Sequence, residues 1–128
     1  MRDPFDIARD IAGRTHPQVT RYLHSSVISD RKGRVIGVGR NYFAGLVIDT
    51  EEGPISRTVH SEIHALSRVN IRRLEGAVIY NYAKTNVASI LARPCGNCWA
   101  ILRKLGFRKV FYTIRGPIDT PLWKEERF

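Results

Sequence analysis

The sequence predicts an α/β fold, a mixed β-sheet flanked by helices in a single domain spanning 1–128. Three observations predict it. Apolar residues at helical spacing open the chain in DPFDIARDIAGRTHP, residues 3–17. Two β-rich runs flank a short polar turn in HSSVISDRKGRVIGVGRNY, residues 24–42. Beyond residue 60, helix-like and strand-like patterns alternate, which implies parallel pairing through helical crossovers. A chain of 128 residues fits one domain and can bury roughly two-thirds of its unfolded surface without disulfide or metal support.

Each element has a local reason. Asp3 is a candidate N-cap and Pro4 suits the first helical position. Phe5, Ile7, Ala8, Ile11 and Ala12 then share a face, and Gly13 ends the run, with a break or a short second turn near Pro17. Val27 and Ile28 lead into the turn Asp30–Gly33, and RVIGVG leads out, forming a hairpin. Glycines 37 and 39 inside that second strand signal a bulge or a close approach. Residues 44–58 read as an irregular crossing loop. Residues 58–74, TVHSEIHALSRVNIRRL, read as one helix starting near Thr58 or His60, with Ile63, Leu66 and Val69–Ile71 inward. GAVIYNYA reads as a strand covered on both faces. KTNVASILAR reads as a loop with a strand edge in SILA. CGNCWAILRKLGF reads as a helix with Trp99, Ile101, Leu102 and Leu105 apolar, closed by Gly106. RKVFYTIR is the next strand, and GPIDTPLWKEERF shows no clear element.

Composition excludes several classes. No apolar run approaches the roughly twenty residues of a membrane span, so no membrane association is expected. The charged start MRDPFDIARD is not a secretory signal, so cytoplasm is the expected compartment, where Cys95 and Cys98 would stay reduced. The formal net charge is +9, with 16 Arg against 5 Lys. Residues 61–128 carry 12 Lys+Arg and 5 Asp+Glu, so the excess lies in the second half. Such a field attracts nucleotides or nucleic acid, although a basic solvated surface gives the same count. Arg103, Lys104, Arg108 and Lys109 read first as a solvated face.

The chemistry concentrates in RPCGNCW, residues 93–99, which holds both cysteines of the chain. A redox pair is one reading of C-x-x-C, but no thioredoxin-like pattern surrounds it. A structural zinc site is a second, and would need two of His16, His24, His60 and His64. His60 and His64 are four residues apart and share a helix face, but HSEIH is not H-E-x-x-H, so the metalloprotease spacing fails. The third reading takes His60, Cys95 and Cys98 as ligands and leaves a fourth position for water, with Glu62 beside it. His60-Ser61-Glu62 is H-x-E, Pro94 to Cys98 is P-C-x-x-C, and 31 residues separate Glu62 from Pro94. Both motifs fall at helix starts divided by one strand, where helix N-termini favour thiolates. H-x-E alone is weak and C-x-x-C moderate. Their order around a strand favours catalytic zinc, which lowers the pKa of a water to about 7.

At these residues the chain resembles the zinc-dependent cytidine/deoxycytidylate deaminase superfamily, whose signature is H-x-E followed by P-C-x-x-C. LHSSVISDRKGRVIGVGRNY, VHSEIHAL and ARPCGNCWAILRKLGFRKVFYT follow the family's hairpin, two ligand helices and next strand in order, over roughly residues 22–114. HSSVI and RPCxxC followed by LGFRKVFYT look like the small viral and bacterial cytidine or dCMP deaminases. The resemblance implies a three-layer α-β-α cytidine deaminase-like fold with a mixed sheet of four to five strands. It implies a Zn2+ cofactor on His60, Cys95 and Cys98, and Glu62 as proton shuttle. Asn41 matches the asparagine that contacts sugar and base. Ser61 stands at the usual alanine of H-A-E, where the backbone amide holds the pyrimidine carbonyl. Arg93 departs from the small or acidic residue common before Pro-Cys and is a substrate-contact candidate, as is His24 at the start of the first strand. The expected substrate is a small-molecule nucleoside or nucleotide (cytidine, deoxycytidine or dCMP). The alternative is a polynucleotide deaminase acting on cytosine or adenine in single-stranded DNA or RNA. A zinc-stapled binding module is the non-enzyme reading, against which Glu62 argues. Relatives form dimers, tetramers or hexamers, so a homo-oligomer is expected. The short segment after residue 114 implies that the fifth strand and last helix are shortened or absent. His64 reads as a helix-face residue, His16 as a turn residue, and Trp99 as core or interface.

Overall fold

The computed structural model describes residues 3–14, 23–50 and 53–128. Helix α1 runs Pro4–Arg14. Asp3 caps it, its Oδ1 accepting from Phe5 N at 2.8 Å. Helix α1 thus passes Gly13 by one residue; Pro17 and His16 lie outside the described residues. Strands β1 (Leu23–Ser29) and β2 (Val35–Arg40) form the expected antiparallel hairpin. Strand β3 (Tyr42–Thr50) pairs antiparallel with β4 (Gly53–Val59) in a separate two-stranded sheet. The expected crossing loop over 44–58 is therefore a hairpin. Its β-branched residues Val47, Ile48, Ile55 and Val59 favour extended backbone in both strands.

Helix α2 is short, Ser61–Leu66, and a separate 3-10 turn follows at Ile71–Arg73. The single helix expected over 58–74 is thus divided. Asn70 starts the new turn by accepting from Arg72 N at 3.0 Å, and Ser67 Oγ donates to His64 O at 2.7 Å where α2 ends. The inward face differs in part: Leu66 and Val69 pack against the core as expected. Ile63 is 39% exposed and Ile71 69%, whereas Ser61, Glu62 and Ala65 are buried. Small residues face the sheet because α2 sits directly on β2. A Cβ on Gly37 would lie 2.6 Å from Ala65 O, and one on Gly39 would collide with the Ala65 and Ser61 backbone. Both readings of these glycines are met: α2 approaches closely, and the β1–β2 register shifts beside Gly37, between Ile28↔Gly37 and Ser29↔Val35.

Strand β5 (Val78–Lys84) is buried along most of its length. Strand β6 is only Ala88–Ser89, overlapping the expected SILA edge at Ser89 alone. Helix α3 (Gly96–Lys104) is closed by Gly106 at φ +94°, a left-handed conformation that glycine adopts without penalty. Strand β7 (Lys109–Ile114) returns parallel to β5. Strand β8 (Gly116–Pro117) extends the sheet beyond β6. Strand β9 (Leu122–Arg127) pairs antiparallel with β7 from Leu122↔Ile114 to Arg127↔Lys109. A fifth long strand is thus present where a shortened or absent one was expected. The longer strands lie in the order β2-β1-β5-β7-β9.

Three layers result. Along β1 and β5, side chains alternate between the two faces. Val27 and Tyr82 face α1, packing with Ala8 and Ala12. Ile28, Ile79 and Ala83 face the other way, packing with Ala65 of α2 and Leu102 of α3. Ser25 Oγ donates to Ala8 O and so fixes α1 on its side. Trp99 is half-buried between the Phe128 ring, 4.5 Å away, and the Arg93 guanidinium, 4.4 Å from its centroid.

Candidate active site

The site forms where α2 and α3 begin on the same sheet face. His60 is the N-cap of α2 and Cys95 the N-cap of α3. Cys95 Sγ accepts from Cys98 N at 3.5 Å, so the cap itself draws the two sulfurs together. His60 Nδ1 lies 3.8 Å from Cys95 Sγ and 3.4 Å from Cys98 Sγ. All three ligand atoms fall within 4.8 Å of one another. Bonds of about 2.0–2.3 Å to a tetrahedral zinc would separate ligand atoms by about 3.5 Å, so the donor set fits that ion. His60 and Cys95 are exposed and Cys98 buried. The cluster is open on one side, as a catalytic metal site must be.

Burial first, then the charge of Glu62 and the neighbouring Cys95, push the Cys98 thiol up to about 12. The tendency of a helix start to favour thiolate is outweighed there. A buried cysteine beside a carboxylate becomes a thiolate ligand when a cation occupies the cluster, since a coordinating thiol is deprotonated outright.

Glu62 is 7% exposed. Its Oε1 accepts from Ser61 Oγ at 3.1 Å and its Oε2 from Asn81 Nδ2 at 3.3 Å. Its charge also acts on His24. His24 is half-buried at the start of β1. Burial lowers its pKa below 6.5, Glu62 opposing this and His60 adding to it, so His24 is a neutral imidazole near pH 7. Asn41, buried just after β2, exchanges two bonds with it. His24 N donates to Asn41 Oδ1 at 3.0 Å, and Asn41 N to His24 O at 3.1 Å. Arg93 precedes the Pro-Cys turn, but its guanidinium reaches the other way. Nε donates to Glu126 Oε2 at 2.7 Å, the same oxygen that accepts from Tyr112 OH at 2.8 Å. His64 is a helix-face residue whose Nδ1 accepts from Arg40 N at 3.0 Å.

Sequence reasoning missed Asn81 and Ser26. They face each other across β5 and β1, and Ser26 Oγ donates to Asn81 Oδ1 at 2.7 Å. The available signal was Asn81 itself, a polar residue in the middle of a strand covered on both faces. Such a group must find a partner.

The fold and this cluster define a metal-dependent enzyme, with a His-Cys-Cys centre at two helix starts over a mixed sheet. A family model described as the cytidine and deoxycytidylate deaminase zinc-binding region matches residues 4–114. The chain belongs to that family. No curated protein matches it. Family and cluster together make zinc the cofactor and the chain a hydrolytic deaminase. Among the described residues, no helix is long and apolar enough to cross a membrane.

Proposed function

We propose that the enzyme deaminates the cytosine base of a nucleoside or nucleotide (cytidine, deoxycytidine or dCMP) to its uracil form. The observation that carries this reading is Glu62. A buried carboxylate with both oxygens held stands two residues from His60 in an open His-Cys-Cys cluster. A zinc that only stapled the fold would have no use for it.

When bound by His60, Cys95 and Cys98, zinc supplies Lewis acidity that lowers the pKa of a water to about 7. Glu62 takes a proton from water and passes it to the ring N3 as oxygen adds at C4. It then carries the second water proton to the amino group. The C4–N bond breaks, ammonia leaves, and a carbonyl remains at C4. Asn41 and His24, fixed on each other, border the position of base and sugar. The Ser61 amide faces the pyrimidine carbonyl, as the family pattern implies. Arg93 precedes the ligand turn, and a substrate phosphate would have to draw its guanidinium away from Glu126. We place the protein in a reducing, cytoplasmic setting, as a homo-oligomer.

The second reading is deamination of a single-stranded polynucleotide, favoured by the +9 charge. One experiment separates them. Zinc-loaded protein is incubated with cytidine, deoxycytidine, dCMP, dCTP, adenosine and single-stranded oligonucleotides at low and high salt. The first reading predicts turnover of a free cytosine compound with weak salt dependence. Turnover confined to oligonucleotides and lost steeply with salt would replace it with the second.

A further inference from the structure

We propose that Ser61 and Asn81, joined through Ser26, are positioning residues that hold the Glu62 carboxylate in its proton-transfer pose. This inference rests on the functional reading above.

The three residues come from three elements and meet under Glu62. Ser26 and Asn81 are a cross-strand pair of β1 and β5, on the face toward α2. Ser61 is the first residue of α2 and Glu62 the second. Ser26, Ser61 and Asn81 are all buried. Asn81 Nδ2 donates both its protons, one to Glu62 Oε2 and one to Ala92 O, each at 3.3 Å. Its Oδ1 accepts from Ser26, which fixes the amide orientation. Ser61 gives its one proton to Glu62 Oε1. The Ser26 and Ser61 hydroxyl oxygens also lie 2.7 Å apart, which places the two clamps in direct contact.

The surroundings make this arrangement specific. Ile28, Ile79, Ala83 and Ala92 are buried nearby on the same face. Polar groups among them lower stability unless fully paired. Among the described residues, no buried side-chain polar atom lacks a partner. The network is complete, and its one ionisable member is the residue that must move protons. A glutamate has three rotatable bonds, and one donor per oxygen removes most of that freedom before substrate arrives. The Ser61 hydroxyl thus has a task separate from that of its backbone amide.

The test compares zinc-loaded wild type, Ser61→Ala and Asn81→Ala by kinetics, zinc content and crystallography. Loss of one donor should lower kcat about 10-fold, with KM and zinc content unchanged. The crystal structures should show the Glu62 carboxylate displaced or in more than one rotamer. A carboxylate that keeps its wild-type position in both variants overturns the proposal, whatever the turnover. Should Asn81→Ala fail to fold, Ser61→Ala decides alone, since removing one buried hydroxyl leaves the backbone unchanged. Should wild type turn over no cytosine compound, the functional reading falls, and the crystallographic comparison still decides the clamp.

Discussion

Gly39 of β2 lies directly under Ala65 of α2, so close that a Cβ at position 39 would collide with helix backbone. The absence of a side chain there seats the helix that carries Glu62 and follows His60. Gly39→Ala should therefore push α2 outward. Overpacking against backbone destabilises by about 1–3 kcal/mol, read as a shift in the urea midpoint, with lower zinc occupancy alongside. A change below about 0.5 kcal/mol would mean that the helix has room to give.

Cys98 is the buried ligand of the cluster. Cys98→Ala should purify with almost no zinc, measured by metal analysis, while keeping the fold by circular dichroism. Metal bound only by the folded state stabilises it by about 4 kcal/mol at a thousandfold excess over Kd. A chelator should accordingly lower the melting temperature of wild type and leave Cys98→Ala unmoved. Full zinc content in the variant would remove Cys98 from the ligand set.

Asp30 closes the β1–β2 turn. Its Oδ1 accepts from Lys32 N at 3.0 Å and Arg34 N at 2.9 Å, and its Oδ2 pairs with Arg73 at 3.0 Å. The backbone bond from Arg34, then the Arg73 side chain, hold its pKa below the usual 3.8. A lowered carboxylate pKa adds stability that is fully present above the unfolded value and lost as pH falls through the folded one. Wild type should thus exceed Asp30→Asn in urea midpoint at pH 7, and the gap should close in acid. A gap that does not vary with pH would contradict this assignment.

Arg93 and Glu126 form an ion pair at 2.7 Å beside the ligand turn. Glu126→Gln should weaken that pair. The KM for dCMP should fall about 3-fold, the scale of an exposed pair, while the KM for deoxycytidine stays put. Equal changes for both substrates would take Arg93 out of phosphate recognition.

The parts of the fold legible in sequence were those with local causes. Asp3-Pro4 announced α1, and Asp30–Gly33 announced the β1–β2 turn. His60, Cys95 and Cys98 could be grouped because each motif lies within four residues and at a helix start. Other parts depended on distant contacts. The end of α2 follows from Asn70 capping a new turn. Its small inward face follows from Gly37 and Gly39, more than twenty residues upstream. Strand β9 hid because LWKEER is an edge strand dense in charge, as edges commonly are. Asn81 showed its need for a partner, but the partner, Glu62, became identifiable only once β5 and α2 were placed face to face.

The central claim is that Glu62 and the His60-Cys95-Cys98 zinc site act together to deaminate cytosine. The most direct measurement follows product from deoxycytidine, cytidine and dCMP with zinc-loaded wild type and Glu62→Gln. Wild type should release one ammonia per uracil-form product. Glu62→Gln should keep its zinc and lose activity by about 10²–10⁴-fold, the contribution of a positioned acid–base group. No product from any of the three substrates with wild type, or equal rates for the two proteins, would contradict the account.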